Sequence, residues 1–129
     1  MLILASLAGC LADETAYGGD GAQPPRIAWT DNEVDDIWTV SQASHGNPWS
    51  DLNLKGSRSV AGYRYGTSGP MKVVGRSETY EPVAGASEDV AAGQVLAFCG
   101  TETATTFTLL HTPSNTIIHQ FTFATLMAC

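Results

Sequence analysis

Thr105-Thr106-Phe107-Thr108-Leu109-Leu110-His111, then Thr112-Pro113-Ser114-Asn115-Thr116, then Ile117-Ile118-His119-Gln120-Phe121-Thr122-Phe123: the reading of this stretch decides the fold. Apolar and polar residues alternate on both sides of a turn-forming Pro-Ser-Asn, the period-two signature of a β-hairpin. In strand-like alternation Phe107, Leu109 and His111 share one face, and so do Ile117, His119, Phe121 and Phe123. Opposed residues of a hairpin point the same way. A five-residue loop, 112–116, therefore sets Leu109 against His119 and Phe107 against Phe121, with Thr106 opposite Thr122 on the other face. The Phe face is expected to be core.

The same alternation runs upstream. Candidate strands lie at 26–30, 36–42, 59–65, 71–77, 94–99, 103–111 and 117–126, rich in β-branched and aromatic residues. Breakers separate them: Gly46-Asn47-Pro48, Gly66-Thr67-Ser68-Gly69-Pro70, Gly85-Ala86-Ser87, Gly100 and Pro113-Ser114-Asn115. No window of a dozen residues carries a helical stripe, and 86–92 offers at most one short helical turn. Strands at this spacing predict an all-β domain, a small antiparallel β-sandwich or barrel with a C-terminal β-hairpin.

The start of the chain has a different character. Leu7-Ala8-Gly9-Cys10 closes a short apolar run and is followed by Asp13 and Glu14. This resembles the lipobox of bacterial lipoprotein signals, which implies that Cys10 receives the lipid and becomes the mature N-terminus. The segment lacks a leading Lys or Arg, which leaves two readings. Either the true start lies upstream, or this is an N-terminal element packed into the domain with Cys10 as a small buried hydrophobe. Between Cys10 and Pro25 the Gly and Pro content is that of a tether. The resulting division is a signal segment over 1–9, a lipidated Cys and tether over 10–25, and an all-β domain over 26–129. Lipidation of Cys10 leaves Cys99 and Cys129, both near the margin of the predicted sheet, as a natural disulfide pair in an oxidising compartment. The expected address is exported, in the cell envelope or outside the cell, with the bilayer reached through an acyl anchor.

Thirteen Asp and Glu oppose six Lys and Arg among 129 residues, a formal net charge of −7. Nucleic acid draws affinity from clustered Lys and Arg, and here the six are scattered, so no nucleic-acid partner is expected. No apolar stretch approaches the ~20 residues that span a bilayer as a helix. No motif implies a cofactor.

Four groups of residues carry candidate chemistry. Trp38 and Gln42, then Asn47, Trp49 and Asp51 around a Gly-Asn-Pro turn, combine aromatic faces with amide and carboxylate groups, a set suited to the C–H patches and hydroxyls of a glycan. The segment resembles one repeat of the β-propeller lectins that bind fucose-type sugars. The repeat occurs once, so no site residues are carried over from that resemblance. Asp31, Glu33, Asp35 and Asp36 concentrate carboxylates that would suit Ca²⁺, although the glycine and distal Glu of an EF-hand loop are missing and a solvated turn accounts for them equally. His111 and His119 fall diagonally on one face, about 7 Å apart by sheet geometry, a possible beginning of a Zn or Cu site that lacks a third ligand. Gly66 to Val74 resembles the nucleophile segment of trypsin-like serine proteases, with His45 upstream and Ser68 in the nucleophile's place. It lacks the acidic residue before Ser and the second Gly, and Ser in a Gly-Pro turn is by default a turn residue. The Thr residues late in the chain suit a solvent-facing strand, or a flat ladder of the kind that binds ice.

These features predict a non-catalytic binding module with a glycan as ligand. The alternative is a structural subunit that assembles through exposed sheet edges.

Overall fold

The computed structural model describes residues 23–74, 79–83 and 86–129. Its C-terminal hairpin joins β8 (Thr105–His111) to β9 (Thr116–Phe123), with Leu109 opposite His119, Phe107 opposite Phe121 and Thr106 opposite Thr122. The Thr106 and Thr122 hydroxyls hydrogen-bond across the pair at 2.6 Å. The loop differs from expectation. His111 pairs with Thr116 and Leu110 with Ile117, so the loop is four residues, 112–115, and Ile118 is the extra residue of a β-bulge. The loop ends on Asn115 at φ 54, a left-handed conformation that Asn tolerates better than most residues.

The N-terminal hairpin repeats this design. β1 (Ile27–Asn32) pairs with β2 (Ile37–Ala43) around a four-residue loop whose last residue, Asp36, stands at φ 58. Asn32 Oδ1 accepts from the Val34 and Asp35 amides, an Asx turn that starts the reversal. A bulge at Ser41 shifts the register so that Trp29 lies opposite Val40.

The remaining strands are β3 (Leu52–Gly56), entered through a one-turn 3-10 helix (Trp49–Asp51), then β4 (Gly62–Tyr65), β5 (Lys72–Val73), β6 (Glu81–Pro82) and β7 (Val95–Cys99). They form two sheets, in the orders β1-β2-β7-β4-β5 and β6-β3-β8-β9, with every strand pair antiparallel. Neither sheet closes on itself, so the architecture is the sandwich and not the barrel. Two strands escape the sequence reading. β3 lies in none of the candidate strands, and β6 is too short to carry a pattern. Conversely, 59–61, 71, 74, 103–104 and 124–126 fall outside the strands expected there, 75–77 of the 71–77 strand lie outside the described residues, and 86–92 forms no helical turn.

Alternation sends Trp38 and Val40 of β2, Leu52 and Leu54 of β3, Tyr63 of β4, Leu96 and Phe98 of β7, Phe107 and Leu109 of β8 and Phe123 of β9 into one core. Phe98 and Phe107, from opposite sheets, meet at 4.2 Å between ring centroids, and Trp38 reaches Phe107 edge-on. Fully burying an aromatic ring of this kind is worth roughly 3–5 kcal/mol against Ala, so these contacts set the sheet-to-sheet alignment.

The C-terminal residues 124–129 fold back as a strap across the end of β7. Gly100 N–H donates to the Met127 carbonyl, Leu126 N–H donates to the Thr101 carbonyl, and Leu126 packs under Gly100. The disulfide Cys99–Cys129 secures the end, with 5.0 Å between the Cα atoms. Gly62, the β4 partner of Cys99, admits it: a Cβ there would lie 2.8 Å from Cys99 Sγ and 3.0 Å from Cys129 Sγ.

Candidate functional site

The glycan set built on tryptophan does not form a surface. Trp38 and Trp49 are both fully buried, because residues 38 and 40 of β2 face the opposite sheet and the 3-10 turn folds Trp49 beneath it. Trp38 is surrounded by Trp29, Phe98, Phe107 and His119, and Trp49 by Trp29 and Tyr65. Their ring faces are core, which corrects the expectation that they stack a sugar. Asn47 is occupied locally: its Nδ2 donates to Ser44 Oγ and to the Ser44 and His45 carbonyls, closing the turn. Gln42 is exposed, and Asp51, at the mouth of β3, gives its backbone carbonyl to Thr112 N–H. The five residues do not converge.

The acidic run is also divided among separate partners. Asp31 Oδ1 meets His119 Nε2 at 2.7 Å, Glu33 Oε2 accepts from the Ala124 amide, and Asp35 Oδ2 accepts from Asn32 Nδ2. Asp36 Oδ2 accepts from the Met127 amide, while its backbone carbonyl takes Phe98 N–H. Instead of pooling oxygens around a cation, three of the four clasp the first hairpin to β9 and the strap. A cleft of about 530 Å³ remains between hairpin and strap, lined by Glu33, Val34, Asp36, Glu102, Thr125 and Met127 among others.

The two histidines share the inner face of their hairpin, but each ring has its own neighbour. His111 Nδ1 meets Ser114 Oγ at 2.7 Å within the 112–115 loop, where His111 is buried opposite Leu52. His119 stacks on Trp29 at 5.1 Å and meets the edge of Trp38 at 4.5 Å. Its pairing with Asp31 ties the open edge of one sheet to the open edge of the other. Among the described residues, no three of His, Cys, Asp and Glu are grouped to hold a metal ion.

His45 and Ser68 are exposed residues of different connections, the one following β2 and the other between β4 and β5. Among the described residues neither hydrogen-bonds to the other. Cys10 and the lipobox lie outside the described residues.

The segment Gly66 to Val74, singled out in the sequence for its likeness to a nucleophile loop and not as a binding cleft, contributes to a cleft where β4 turns into β5. Arg64 and Tyr65 from β4, Ser68 and Pro70 from the turn, Met71, and Lys72 from β5 line a cleft of about 320 Å³. Gly66 at φ 94 and Gly69 at φ 102 reverse the chain in conformations that other residues rarely adopt. The turn's carbonyls are held by one side chain: Arg64 Nε donates to Gly66, Nη1 to Gly69 and Nη2 to Thr67. Tyr65 is fixed from behind. Its hydroxyl donates to Glu88 Oε2, which also accepts from Gln94 Nε2, and Gln94 Oε1 in turn accepts from Trp49 Nε1 at 2.8 Å and from the Ala91 amide. Partial burial, reinforced by the Glu88 carboxylate, pushes the Tyr65 phenol up to about 12, so it remains a neutral ring with its proton committed to Glu88. The available signal was a pair of cations, Arg64 and Lys72, bracketing a Gly-Thr-Ser-Gly-Pro turn in an acidic chain.

No protein-family model matches the chain, and no curated protein or solved structure matches it.

Proposed function

We propose that this chain is an exported, lipid-anchored, non-catalytic binding module that holds a carbohydrate in the cleft between β4 and β5. The observation that carries the reading is the composition of that cleft. The Tyr65 ring, Pro70 and Met71 offer apolar surface to the C–H face of a sugar, and Arg64, Ser68 and Lys72 offer donors to its oxygens. About 320 Å³ lies at the lower end of the ~300–1,000 Å³ of small-molecule sites. The network from Tyr65 through Glu88 and Gln94 to Trp49 holds the wall rigid before a ligand arrives, which lowers the ordering cost of binding. The export reading draws support from the Cys99–Cys129 bridge, a bond that persists in oxidising compartments.

Glycan-array screening followed by calorimetry tests the ligand class. Binding that Tyr65→Ala weakens at least tenfold supports the reading, and an array without a hit removes it. Intact mass spectrometry of protein made in a bacterial host with its native upstream sequence tests the address: a lipidated species beginning at Cys10 supports the anchor, and an unprocessed chain with three free thiols overturns it. Catalytic turnover lost in Ser68→Ala or His45→Ala would overturn the non-catalytic assignment.

One observation favours a second reading, a subunit that assembles edge to edge. β5 and β6 are two-residue edges carrying Lys72 and Pro82, both familiar blockers of strand addition, whereas β1 and β9 are edges of six and eight residues. Ligand-independent polymers in a sizing measurement would favour this alternative, and a monomer would dismiss it.

A further inference from the structure

The last strand of the four-stranded sheet, β9, has β8 as its one neighbour among the described residues, so the other side of its backbone is an open edge. Which of its groups face outward follows from β8. Thr106 turns its own backbone toward the β3 side, where its carbonyl accepts from Ser57 N–H and its N–H donates to Ser57 Oγ. The residue opposite such a position in an antiparallel pair also points away. Thr122, and by alternation Gln120, therefore present their N–H and C=O groups to the outside. Ala124, next in that series, donates its N–H to Glu33 Oε2, which closes this end of the edge. The bulge at Ile118 interrupts the other end. Between the two ends, the backbone groups of two exposed residues, Gln120 and Thr122, have no partner among the described residues.

Unlike β5 and β6, β9 carries neither Lys nor Pro, and it also lacks Asp, Glu and Arg in a chain of net charge −7. We propose that this edge pairs with the same edge of a second copy of the chain, antiparallel about a twofold axis at Phe121. In that register Gln120 of each copy exchanges both backbone hydrogen bonds with Thr122 of the other, and every outward group between Glu33 and the bulge is satisfied. An axis at Gln120 would instead run Thr122 into the bulge. The two half-buried Phe121 rings, each already against its own Phe123 at 4.9 Å, fall side by side on the core face. Charge selects the same direction. Glu33 and Asp36 bond the chain at 124 and 127, beyond the C-terminal end of β9, so antiparallel pairing holds the two acidic runs at opposite ends of the interface. The edge is thus complementary to itself in length, side chain and charge, which favours a second copy over a foreign strand. Pairing of β9 with β9 closes at two copies, unlike an edge-to-edge polymer, and it stands independently of the glycan reading.

The test is sedimentation velocity of the full chain from micromolar to millimolar concentration, at low and high salt. A monomer–dimer equilibrium without larger species is expected, and the dimer should strengthen as salt screens the like charge of the two copies. Thr122→Lys and Thr122→Glu, exposed changes of opposite sign on the edge, should each weaken the dimer at least tenfold with the melting temperature unchanged. Phe121→Cys, in a Cys10→Ser background, should cross-link into covalent dimers under mild oxidation, because facing residues of a pair of this type have Cα atoms about 4.5 Å apart. Ala28→Cys on β1 should not. A chain that stays monomeric throughout overturns the inference, and species that grow beyond the dimer overturn it in favour of the polymer. A dimer indifferent to both Thr122 variants, or one that Ala28→Cys cross-links as readily as Phe121→Cys, places the interface elsewhere and also overturns it.

Discussion

Replacing Cys129 with Ala isolates the contribution of the bridge that closes this sandwich. Cys129 is exposed, so the substitution leaves little cavity, and the strap keeps its hydrogen bonds to Gly100 and Thr101. What changes is the unfolded chain. A cross-link between residues 30 apart removes loop-closure entropy worth about 3.6 kcal/mol at 25 °C in the chain-entropy relation. A domain of roughly 100 residues has an unfolding entropy near 0.2 kcal/mol/K, so the expected fall in melting temperature is about 18 °C. Differential scanning calorimetry of wild type, Cys129→Ala and wild type under a thiol reductant checks this, with reduced wild type expected to melt alongside the variant. Native-state hydrogen exchange should show the Gly100, Leu126 and Met127 amides opening locally in the variant, while Phe98, bonded to the Asp36 carbonyl in the sheet, exchanges only through global unfolding. Melting temperatures within about 3 °C of each other would refute the reasoning, because the bridge would then constrain nothing that the strap's own contacts do not.

Three further expectations follow from named contacts. Gly62→Ala drives a Cβ against both bridge sulfurs and to 3.2 Å from the Lys72 carbonyl, and should cost about 1–3 kcal/mol in a denaturant titration. The Tyr65 phenol binds its proton more tightly folded than unfolded, so its contribution to stability is complete below pH 10 and is lost as pH rises through about 12; Tyr65→Phe should flatten that alkaline loss, and tyrosinate absorbance should show one late-titrating phenol. The pair of His119 and Asp31 is partly exposed, so a double-mutant cycle with His119→Gln and Asp31→Asn should give a coupling of only about 0.2–1 kcal/mol, decreasing with salt.

The hairpin register shows how far local pattern reaches. Phe107 opposite Phe121 and Leu109 opposite His119 follow from alternation alone, since a slip of one residue would turn the Phe face to solvent. The bulge at Ile118 does not follow from it: it exchanges a five-residue loop for a four-residue loop ending in left-handed Asn115, a trade decided by turn geometry and not by hydrophobic period. β3 was missed for a related reason. Leu52, Leu54 and Gly56 alternate over only five residues next to a turn-rich segment, and their strand character appears once β8 supplies Phe107, Leu109 and His111 as partners.

The sequence by itself determined that the protein is all-β, that its last two strands form a hairpin with a Phe core face, and that Cys99 and Cys129 can close the domain. These properties depend on period, turn chemistry and cysteine count, all local or countable. Only the tertiary structure decided that the sheets form an open sandwich, that Trp38 and Trp49 are core and not a sugar platform, and that the acidic run clasps the C-terminal strap. It alone decided that Arg64, Tyr65 and Lys72 line one cleft at the β4–β5 turn. The physical reason is the same in each case. Which face of a residue is covered, and which charge is answered, depends on partners from the other sheet, and alternation along one strand cannot name them.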